Sequence, residues 1–576
     1  MKKLQPSEKY RDIIIIIGLI IFGILLSIFC KNEQKYDFAN YHYYNAWAFL
    51  NNRLNVDIVP AALNTFFNPL IELPLYFYIQ LFNNYPNIIW GLQGLWFSLL
   101  LCMLYKITSL FIDISDKKNI PYLISLLLIA SSGQATMLQI GASTNEIMVA
   151  ALDLIGIYFI IKMLKYPQTQ KIKNFIIAGL IMGMTLGLKQ TSIVNCISTG
   201  ITLILCWKML KSPIKSISSF AICGIIGYLI INGYFMWEYW INYKNPFFPF
   251  LNGLFHSPYF DDFNYRDTSF LEDPLKFYLY PYMWHFEEDV LCAAFYQDYR
   301  LDVYYSLLII YGFYTLFNYK NKSFITKNKL LIILSLFLII NYFLWMFTFA
   351  ILRYAVVFEV LDALFIILLL HKYKNKYLSF SILIVSIVIF ITHLCNYIDL
   401  RIRDEITKYV DVEEINLPNN SIIKMYGQIS SIIIPDIVGE KNIRVLTYYI
   451  EGDTEPNGIG SDFAERGKFR EIRDTIVKEH KGPITIIYTE RFATQSKIDE
   501  YEKNKDKNIQ MCEQAQKLKF LSPRKNCRNY IEESKATLLP ENLDNYFCKT
   551  LQNNVLLGDT IICIPSEIKE QVFKGE

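Results

Sequence analysis

The sequence predicts a mainly α-helical, polytopic transmembrane helix bundle that ends in a small extracytoplasmic α/β domain. Of its 576 residues, 53% are hydrophobic and only 19% are charged. Apolar runs such as 13–29 and 330–347 are too long and too poor in charge for a water-soluble protein of this size. From about residue 400 the composition becomes charged, and short strand-like runs alternate with helical ones.

Length and hydropathy predict about eleven transmembrane spans. They lie near residues 13–30, 87–112, 119–135, 143–164, 173–188, 190–207, 216–236, 300–318, 329–350, 352–371 and 378–398. The segment 69–83 is apolar but short, contains Glu72 and is interrupted by Pro74, so we expect it not to cross. The first run follows several basic residues and precedes no small-residue cleavage site, which indicates an uncleaved anchor.

The distribution of Lys and Arg predicts the orientation. Basic residues gather in the N-terminus and in the stretches DISDKKN, KYPQTQKIKN, KMLKSPIK, YKNKSFITKNK and HKYKNK, whereas the loops 31–86 and 237–299 are acid-rich. The positive-inside rule then places every basic loop in the cytoplasm. We therefore expect a multi-pass protein of the cell (inner) membrane. Its N-terminus is cytoplasmic, and its acidic loops and tail are outside.

This topology divides the chain into a transmembrane domain, 1–399, which carries both outer loops, and an extracytoplasmic α/β domain, 400–576. In the tail, the runs IRVLTYY, PITIIYT and TIICIP predict strands, and FAERGKFREIRDTIVKEH predicts a helix. Four of the eleven cysteines also lie there: Cys512, Cys527, Cys548 and Cys563. An even number in an exported domain predicts two disulfides, with three pairings open.

Polar residues at the ends of spans are the first functional candidates, because such residues are costly within a membrane. Under the predicted topology Asn145 and Glu146 begin a span at the outer leaflet, and Lys189 and Arg353 lie in outer turns. Two cations on that face suit an anionic lipid substrate. As alternatives, Lys189 or Arg353 only extends to reach water, or Glu146 pairs with Lys189 to stabilise helix packing.

The first outer loop is long and aromatic, unlike the short polar connection that usually joins two spans. Within it, Asp37, Tyr41 and Tyr44 fall on one helical face, and Trp47 would lie at headgroup depth. This pattern predicts an interfacial segment that holds a reacting carboxylate, Asp37, at the membrane surface. For His42, a hydrogen-bonded structural role competes with that of a base.

Two further groups of polar residues have simpler interpretations. Arg53 and Asp57 favour a surface ion pair or a turn over catalysis. The second outer loop carries His256 among prolines and aromatic residues. Aromatic faces beside carboxylates and amides suit a sugar-binding surface, and the alternative is a lid packed on the membrane.

Several functional classes are disfavoured by the sequence. A net charge of +3 implies no nucleic-acid partner. The chain has no glycine-rich phosphate loop, no HExxH and no GxSxG, and its histidines show no ligand spacing. No predicted cytoplasmic loop is long enough for a soluble sugar-nucleotide site.

The chain contains the stretches DFANYHYYNAWAFLNNR, NPLIELP, GASTNE, GLKQTS, NPFFPFLN and LRY. Together with the pattern as a whole, they resemble the GT-C superfamily of integral-membrane glycosyltransferases, in particular its bacterial members. Such enzymes transfer a sugar from a polyprenyl-phosphate donor outside the cytoplasm. The resemblance therefore implies a polyprenyl-phosphate-linked sugar donor, a saccharide, lipid or protein acceptor, and contact with membrane lipids. Asp37 is followed by Phe38 rather than by a second acid, so no cofactor is assigned and a divalent cation, Mg or Mn, stays open.

The resemblance places the general base on Asp37. It extends a substrate-binding role to Tyr41, His42, Asn68, Glu72, Asn145, Glu146, Lys189, His256 and Arg353. We expect transfer with inversion at the anomeric carbon, because a single base suffices when the leaving group is already a phosphate. The alternatives are a flippase or transporter, or a ligase, for lipid-linked saccharides. A non-catalytic assembly protein would leave the aromatic loop unexplained.

Overall fold

The computed structural model describes most of the chain. The described residues are 6–31, 37–265, 277–283, 300–373, 375–399, 406–426, 431–439, 441–448, 465, 467–489, 492–493, 498, 503–507, 509–510, 537–555 and 559–573.

Helices dominate the N-terminal two thirds of the chain. They are α1 (Pro6–Cys30), α2 (Tyr43–Leu50), α3 (Leu73–Phe82), α4 (Pro86–Thr108), α5 (Ile120–Ser131), α6 (Glu146–Lys165), α7 (Ile172–Leu188), α8 (Ile193–Leu205), α9 (Pro213–Tyr243), α10 (Arg300–Phe317), α11 (Lys322–Thr348), α12 (Val356–His371) and α13 (Lys376–Asp399). Among the described residues, seven helices are long and apolar enough to cross a membrane. These are α1, α4, α6, α9, α11, α12 and α13. The helical class and the membrane-length helices are confirmed, and the number of about eleven spans stays a prediction.

The segment that was expected not to cross forms a short helix. The ten residues of α3 span about 15 Å, which is half the thickness of a hydrocarbon core. Asn68 accepts a hydrogen bond from the Leu70 N–H at 2.9 Å and begins the short helical turn Pro69–Ile71 before it. The length of α3 agrees with the prediction.

The described residues form two compact units. The helical unit comprises Met1–Gln34, Leu73–Glu238 and Arg266–Tyr409. The α/β unit comprises Lys35–Glu72, Tyr239–Tyr265 and Val410–Glu576. Parts of both predicted outer loops, 31–86 and 237–299, belong to the α/β unit together with the tail, and the domain division at residue 400 stays a prediction.

The α/β unit is built on a five-stranded mixed sheet. Its strands are β1 (Ile422–Tyr426), β2 (Arg444–Tyr448), β3 (Ile484–Thr489), β6 (Tyr546–Thr550) and β7 (Thr560–Pro565), and β4 (Phe492–Ala493) pairs separately with β5 (Thr537–Leu538). The order is β2-β1-β3-β7-β6, with β1 parallel to both neighbours and β7 antiparallel to both of its own. Helix α14 (Gly467–Glu479) connects β2 to β3. The predicted strands β2, β3 and β7 and the predicted helix are confirmed, whereas β1 and β6 were not predicted.

One disulfide joins the last two strands of the sheet. Cys548 and Cys563 are direct cross-strand neighbours on β6 and β7 and are bonded to each other. This selects their pairing from the three that the sequence left open. Cys512 and Cys527 lie outside the described residues.

The apolar core of the α/β unit draws on all three of its segments. Ile58 and Phe66 come from the first segment, Phe248 from the second, and Leu446 and Phe469 from the third. The rings of Phe66 and Phe248 meet edge to face with centroids 4.8 Å apart. Ile58 also forms a parallel β-bridge with Leu446, so the first segment extends the edge of the sheet beyond β2. Burial of these aromatic side chains explains why the loop residues fold with the tail.

Candidate functional site

In the helical unit, three of the predicted site residues form a cation cluster, which we define as Glu146, Lys189 and Arg353. The Lys189 Nζ lies 2.6 Å from Glu146 Oε1, and the Arg353 Nε lies 3.9 Å from the same oxygen. The Glu146 side chain is 3% exposed, whereas those of Lys189 and Arg353 are 16% and 26% exposed. The carboxylate is therefore enclosed and the two cations retain access to solvent.

The ends of three helices bring this cluster together. Glu146 is the first residue of α6, Lys189 directly follows α7, and Arg353 lies in the helical turn that leads into α12. The Lys189 N–H donates to the Thr185 carbonyl at 3.0 Å, which holds its backbone against the last turn of α7. Asn145 directly precedes Glu146 in the sequence and is also buried.

The cluster brings two cations to one carboxylate oxygen. The Tyr354 ring lies beneath both cations, 5.2 Å from Arg353 Cζ and 6.0 Å from Lys189 Nζ. Glu146 pairs with Lys189, as the alternative of a packing interaction predicts. Arg353 adds a second cation beside the same carboxylate. Lys and Arg are the side chains with which proteins bind phosphate oxygens.

A buried carboxylate on α12 fixes the chain that contacts Arg353. Glu359 accepts hydrogen bonds from the backbone N–H groups of Ala135 and Thr136 at 3.1 and 2.9 Å, and from the Thr136 hydroxyl at 2.6 Å. A Cβ at Gly133 would lie 2.1 Å from the Glu359 carboxyl group, so only glycine allows this approach. Gln139, in the same segment, donates to the Arg353 carbonyl at 2.8 Å. Glu359 therefore supports the Arg353 backbone indirectly.

In the α/β unit, a second group of predicted residues surrounds His42. The His42 Nδ1 lies 2.7 Å from Glu72 Oε2, and both side chains are almost fully buried. The Tyr41 ring contacts the imidazole with centroids 4.1 Å apart and meets the Phe67 ring edge to face at 5.4 Å. A buried imidazole beside a carboxylate has a fixed orientation, which suits a structural or a proton-accepting role.

Asp37 lies immediately before a π-helical turn, Phe38–His42, and is 8% exposed. A π-helical turn is uncommon and is frequently found at functional sites. Trp47 is 5% exposed, so its ring packs within the protein, and the interfacial position of this segment stays a prediction.

The sequence predicted Arg53 and Asp57 on the surface, but both residues are buried. The Arg53 Nε and Nη2 donate to the two Asp57 oxygens at 3.0 and 2.5 Å. Asp57 also accepts the Tyr44 hydroxyl at 2.8 Å and the Val445 N–H at 2.9 Å. Burial and the Asp57 carboxylate raise the pKa of the Tyr44 hydroxyl well above its usual value, which keeps it a donor. Through the Val445 contact, the pair attaches the first segment to β2.

The remaining predicted residues have separate local roles. His256 is exposed, and its Nδ1 lies 2.6 Å from the exposed Asp262 carboxylate. Asn68 begins the turn before α3. No described contact joins His256 to the His42 group, so the structure does not bring it into that group.

A buried polar network in the helical unit was not predicted from the sequence. Asp153 on α6 is fully buried and accepts hydrogen bonds from Ser192 and Asn195. Asn341 on α11 donates to Asn195 at 2.9 Å. The available signal was spacing, since Asp153 follows Glu146 by seven residues and therefore lies on the same face of α6.

Metal ligation is not evident among the described side chains. Within the part of the chain that the structure describes, no three His, Cys, Asp or Glu residues are grouped so that they could hold a metal ion. The carboxylates described above contact hydroxyl, amide or cationic donors.

Comparison with known proteins gives no assignment. No family model, curated protein or solved structure matches this chain.

Proposed function

We propose that this chain is a glycosyltransferase of the GT-C type. In this proposal it spans the membrane about eleven times and transfers a sugar from a polyprenyl-phosphate donor to a saccharide, lipid or protein acceptor on the outer side. The observation that carries the proposal is the cation cluster, in which Lys189 and Arg353 both approach the Glu146 carboxylate.

The two neighbouring cations suit the phosphate of the donor. As the sugar–oxygen bond breaks, negative charge grows on the departing lipid phosphate, and cations already held in place stabilise it without reorganising. Arg353 offers a planar fork of donors and Lys189 a compact charge, which together match several phosphate oxygens. Glu146 holds Lys189 in position and reduces the repulsion between the two cations.

Asp37 is proposed as the general base. A lipid phosphate leaves readily, so the reaction needs a base for the acceptor hydroxyl and no second carboxylic acid. The acceptor oxygen attacks the anomeric carbon, the carbon–oxygen bond to the phosphate breaks, and the hydroxyl proton passes to Asp37. Attack from the face opposite the phosphate inverts the anomeric centre. The burial of Asp37, which is 8% exposed, would limit the access of competing water.

Two observations support the outer location. The basic loops fall on one predicted side of the membrane, as the positive-inside rule requires. The Cys548–Cys563 disulfide is typical of domains that fold in an oxidising compartment.

The test combines the gene deletion with point variants. Mass spectrometry of lipid-linked glycans with and without the gene should reveal one missing sugar on an outer glycan. A complete precursor that accumulates would instead favour a ligase or a flippase. Asp37→Asn should abolish transfer while the protein still inserts and binds donor, because the amide cannot accept the proton. Asp544→Asn, at an exposed acid of the same unit, is the control and should retain transfer. Full activity of Asp37→Asn would remove the base assignment.

A further inference from the structure

Helix α6 contacts the segment 189–195 through two acidic side chains on the same face. Glu146 and Asp153 are seven residues apart, so their side chains point the same way about 10 Å apart along the axis. Glu146 pairs with Lys189, the first residue of this segment. Asp153 contacts Ser192 and Asn195, farther along the same segment.

In the contact of Asp153 with this segment, donors and acceptors are closely matched. The Ser192 hydroxyl lies 2.8 and 2.9 Å from the two Asp153 oxygens, and the Asn195 amide donates to one of them at 2.7 Å. Asn341 donates to Asn195 Oδ1 at 2.9 Å and approaches the Ser198 hydroxyl at 3.2 Å. Each of these side chains is buried. A fully buried network of this kind fixes one arrangement, because any shift would leave a polar group without its partner.

The backbone transmits this constraint to Lys189. Ser192 closes a helical turn, Gln190–Ser192, and its N–H donates to the Lys189 carbonyl at 3.2 Å. The Lys189 N–H is held by Thr185 on the other side. Lys189 itself is extended, with φ −147° and ψ 123°, so its side chain projects from a short link between two anchored turns.

We propose that Asp153 is a positioning residue that holds the 189–195 segment so that Lys189 meets Glu146 and the donor phosphate. This inference rests on the proposed function for its role in transfer, but its structural part does not. Asp153 is fully buried and touches neither reacting atoms nor the cations, so it acts through Ser192 and the backbone of the turn.

The first experiment measures the position of Lys189 without any substrate. The full-length protein in detergent is treated with a small amine acetylating reagent, and modification of Lys189 is followed by mass spectrometry. Asp153→Asn removes the carboxylate charge and one of its two acceptor oxygens, which weakens the contacts from Ser192 and Asn195. Loss of the charge-assisted contact at Lys189 should raise its acetylation rate about tenfold. Asp362→Asn, at an equally buried acid on α12, is the matched control and should leave the rate unchanged.

The rescue variant separates positioning from general damage. Asp153→Asn combined with Asn195→Asp exchanges donor and acceptor, so the acid can again accept from its neighbours. We expect this double variant to restore slow acetylation. If Asp153→Asn fails to insert, Ser192→Ala removes the contact to the turn while leaving the acid, and should also raise the rate.

Equal acetylation of Lys189 in the wild type and in Asp153→Asn or Ser192→Ala would overturn the proposal. Fast acetylation that the double variant fails to reverse would overturn it as well, because it would indicate loosened packing rather than a specific contact. In a transfer assay, Asp153→Asn should raise the donor KM more than it lowers kcat, since Lys189 contacts the phosphate before and during reaction. A wild-type protein without transferase activity would remove the proposed function, and the acetylation result would still decide the role of Asp153.

Discussion

The buried pair Arg53–Asp57 offers a quantitative test of how the first segment is attached to the sheet. Asp57 accepts hydrogen bonds from the Arg53 guanidinium, the Tyr44 hydroxyl and the Val445 N–H. The guanidinium also donates to the Ile443 carbonyl at 2.5 Å. Since the Asp57 side chain is 0% exposed and that of Arg53 only 9%, neither charge has water as a substitute partner.

Asp57→Ala would leave the Arg53 charge buried without its counter-ion. Removing one partner of a buried ion pair typically costs about 3–5 kcal/mol. The free energy of local opening around β2 should fall by about 4 kcal/mol, which corresponds to roughly a thousandfold faster amide exchange. Adding Arg53→Leu removes the unpaired charge, so the double variant should be about 2 kcal/mol less destabilised than Asp57→Ala alone.

Hydrogen exchange of peptides covering 53–58 and 444–448 in the full-length protein measures both effects. Asp262→Asn is the control, because Asp262 and its partner His256 are both exposed, and its exchange should match the wild type. Acceleration below about tenfold in Asp57→Ala would refute the reasoning, because 1.4 kcal/mol is far below the cost of a buried unpaired charge. A double variant that exchanges faster than the single one would refute it too.

Three further predictions concern other parts of the molecule. Gly183→Leu should destabilise the α7–α9 contact by about 1–3 kcal/mol, since a Cβ there would lie 1.9 Å from the Gly224 carbonyl. Thermal unfolding in detergent measures this loss. Gly18→Leu is the control, because a Cβ at Gly18 would meet no atom within 4 Å. Partial desolvation and two neighbouring carboxylates raise the pKa of Asp436 to about 6. Its neutral form therefore stabilises the fold below about pH 6, and this contribution is lost as the pH rises through that value. Hydrogen exchange of 431–439 should slow between pH 7.5 and 5 by more than the intrinsic rate changes. The extra slowing should be small, because the Asp436 side chain is exposed. Asp436→Asn should remove the extra slowing. Glu359→Gln should cost about 1–3 kcal/mol in thermal stability, because one buried N–H loses its acceptor, and an unchanged melting temperature would contradict this.

Hydropathy predicted the positions of the helices because apolar length is a local property of the sequence. The strands β2, β3 and β7 were predicted for the same reason, since each is a short apolar run. Strand β1 was missed because its run, IIKMY, follows a polar turn and contains Lys424. That lysine is satisfied by Glu541 at 2.7 Å, a partner more than a hundred residues away.

Burial of polar groups was the property that the sequence could not supply. Arg53 and Asp57 are four residues apart, which by itself is equally consistent with an exposed ion pair on a helix. Their burial depends on Ile443 and Val445, which lie 390 and 388 residues from their respective partners. The candidate cluster was easier to anticipate, because Glu146, Lys189 and Arg353 each lie at the end of an apolar run.

The difference between a structural ion pair and an anion site lies in the count of charges. Glu146 with Lys189 alone would be neutral, and a neutral pair has little attraction for a phosphate. Arg353 brings a second cation within 3.9 Å of the same carboxylate oxygen. Gln139 holds the Arg353 backbone through its carbonyl, and the Arg353 side chain is 26% exposed. Under the proposed function, the second cation, rather than the pair, is what suits this helix junction to the donor phosphate.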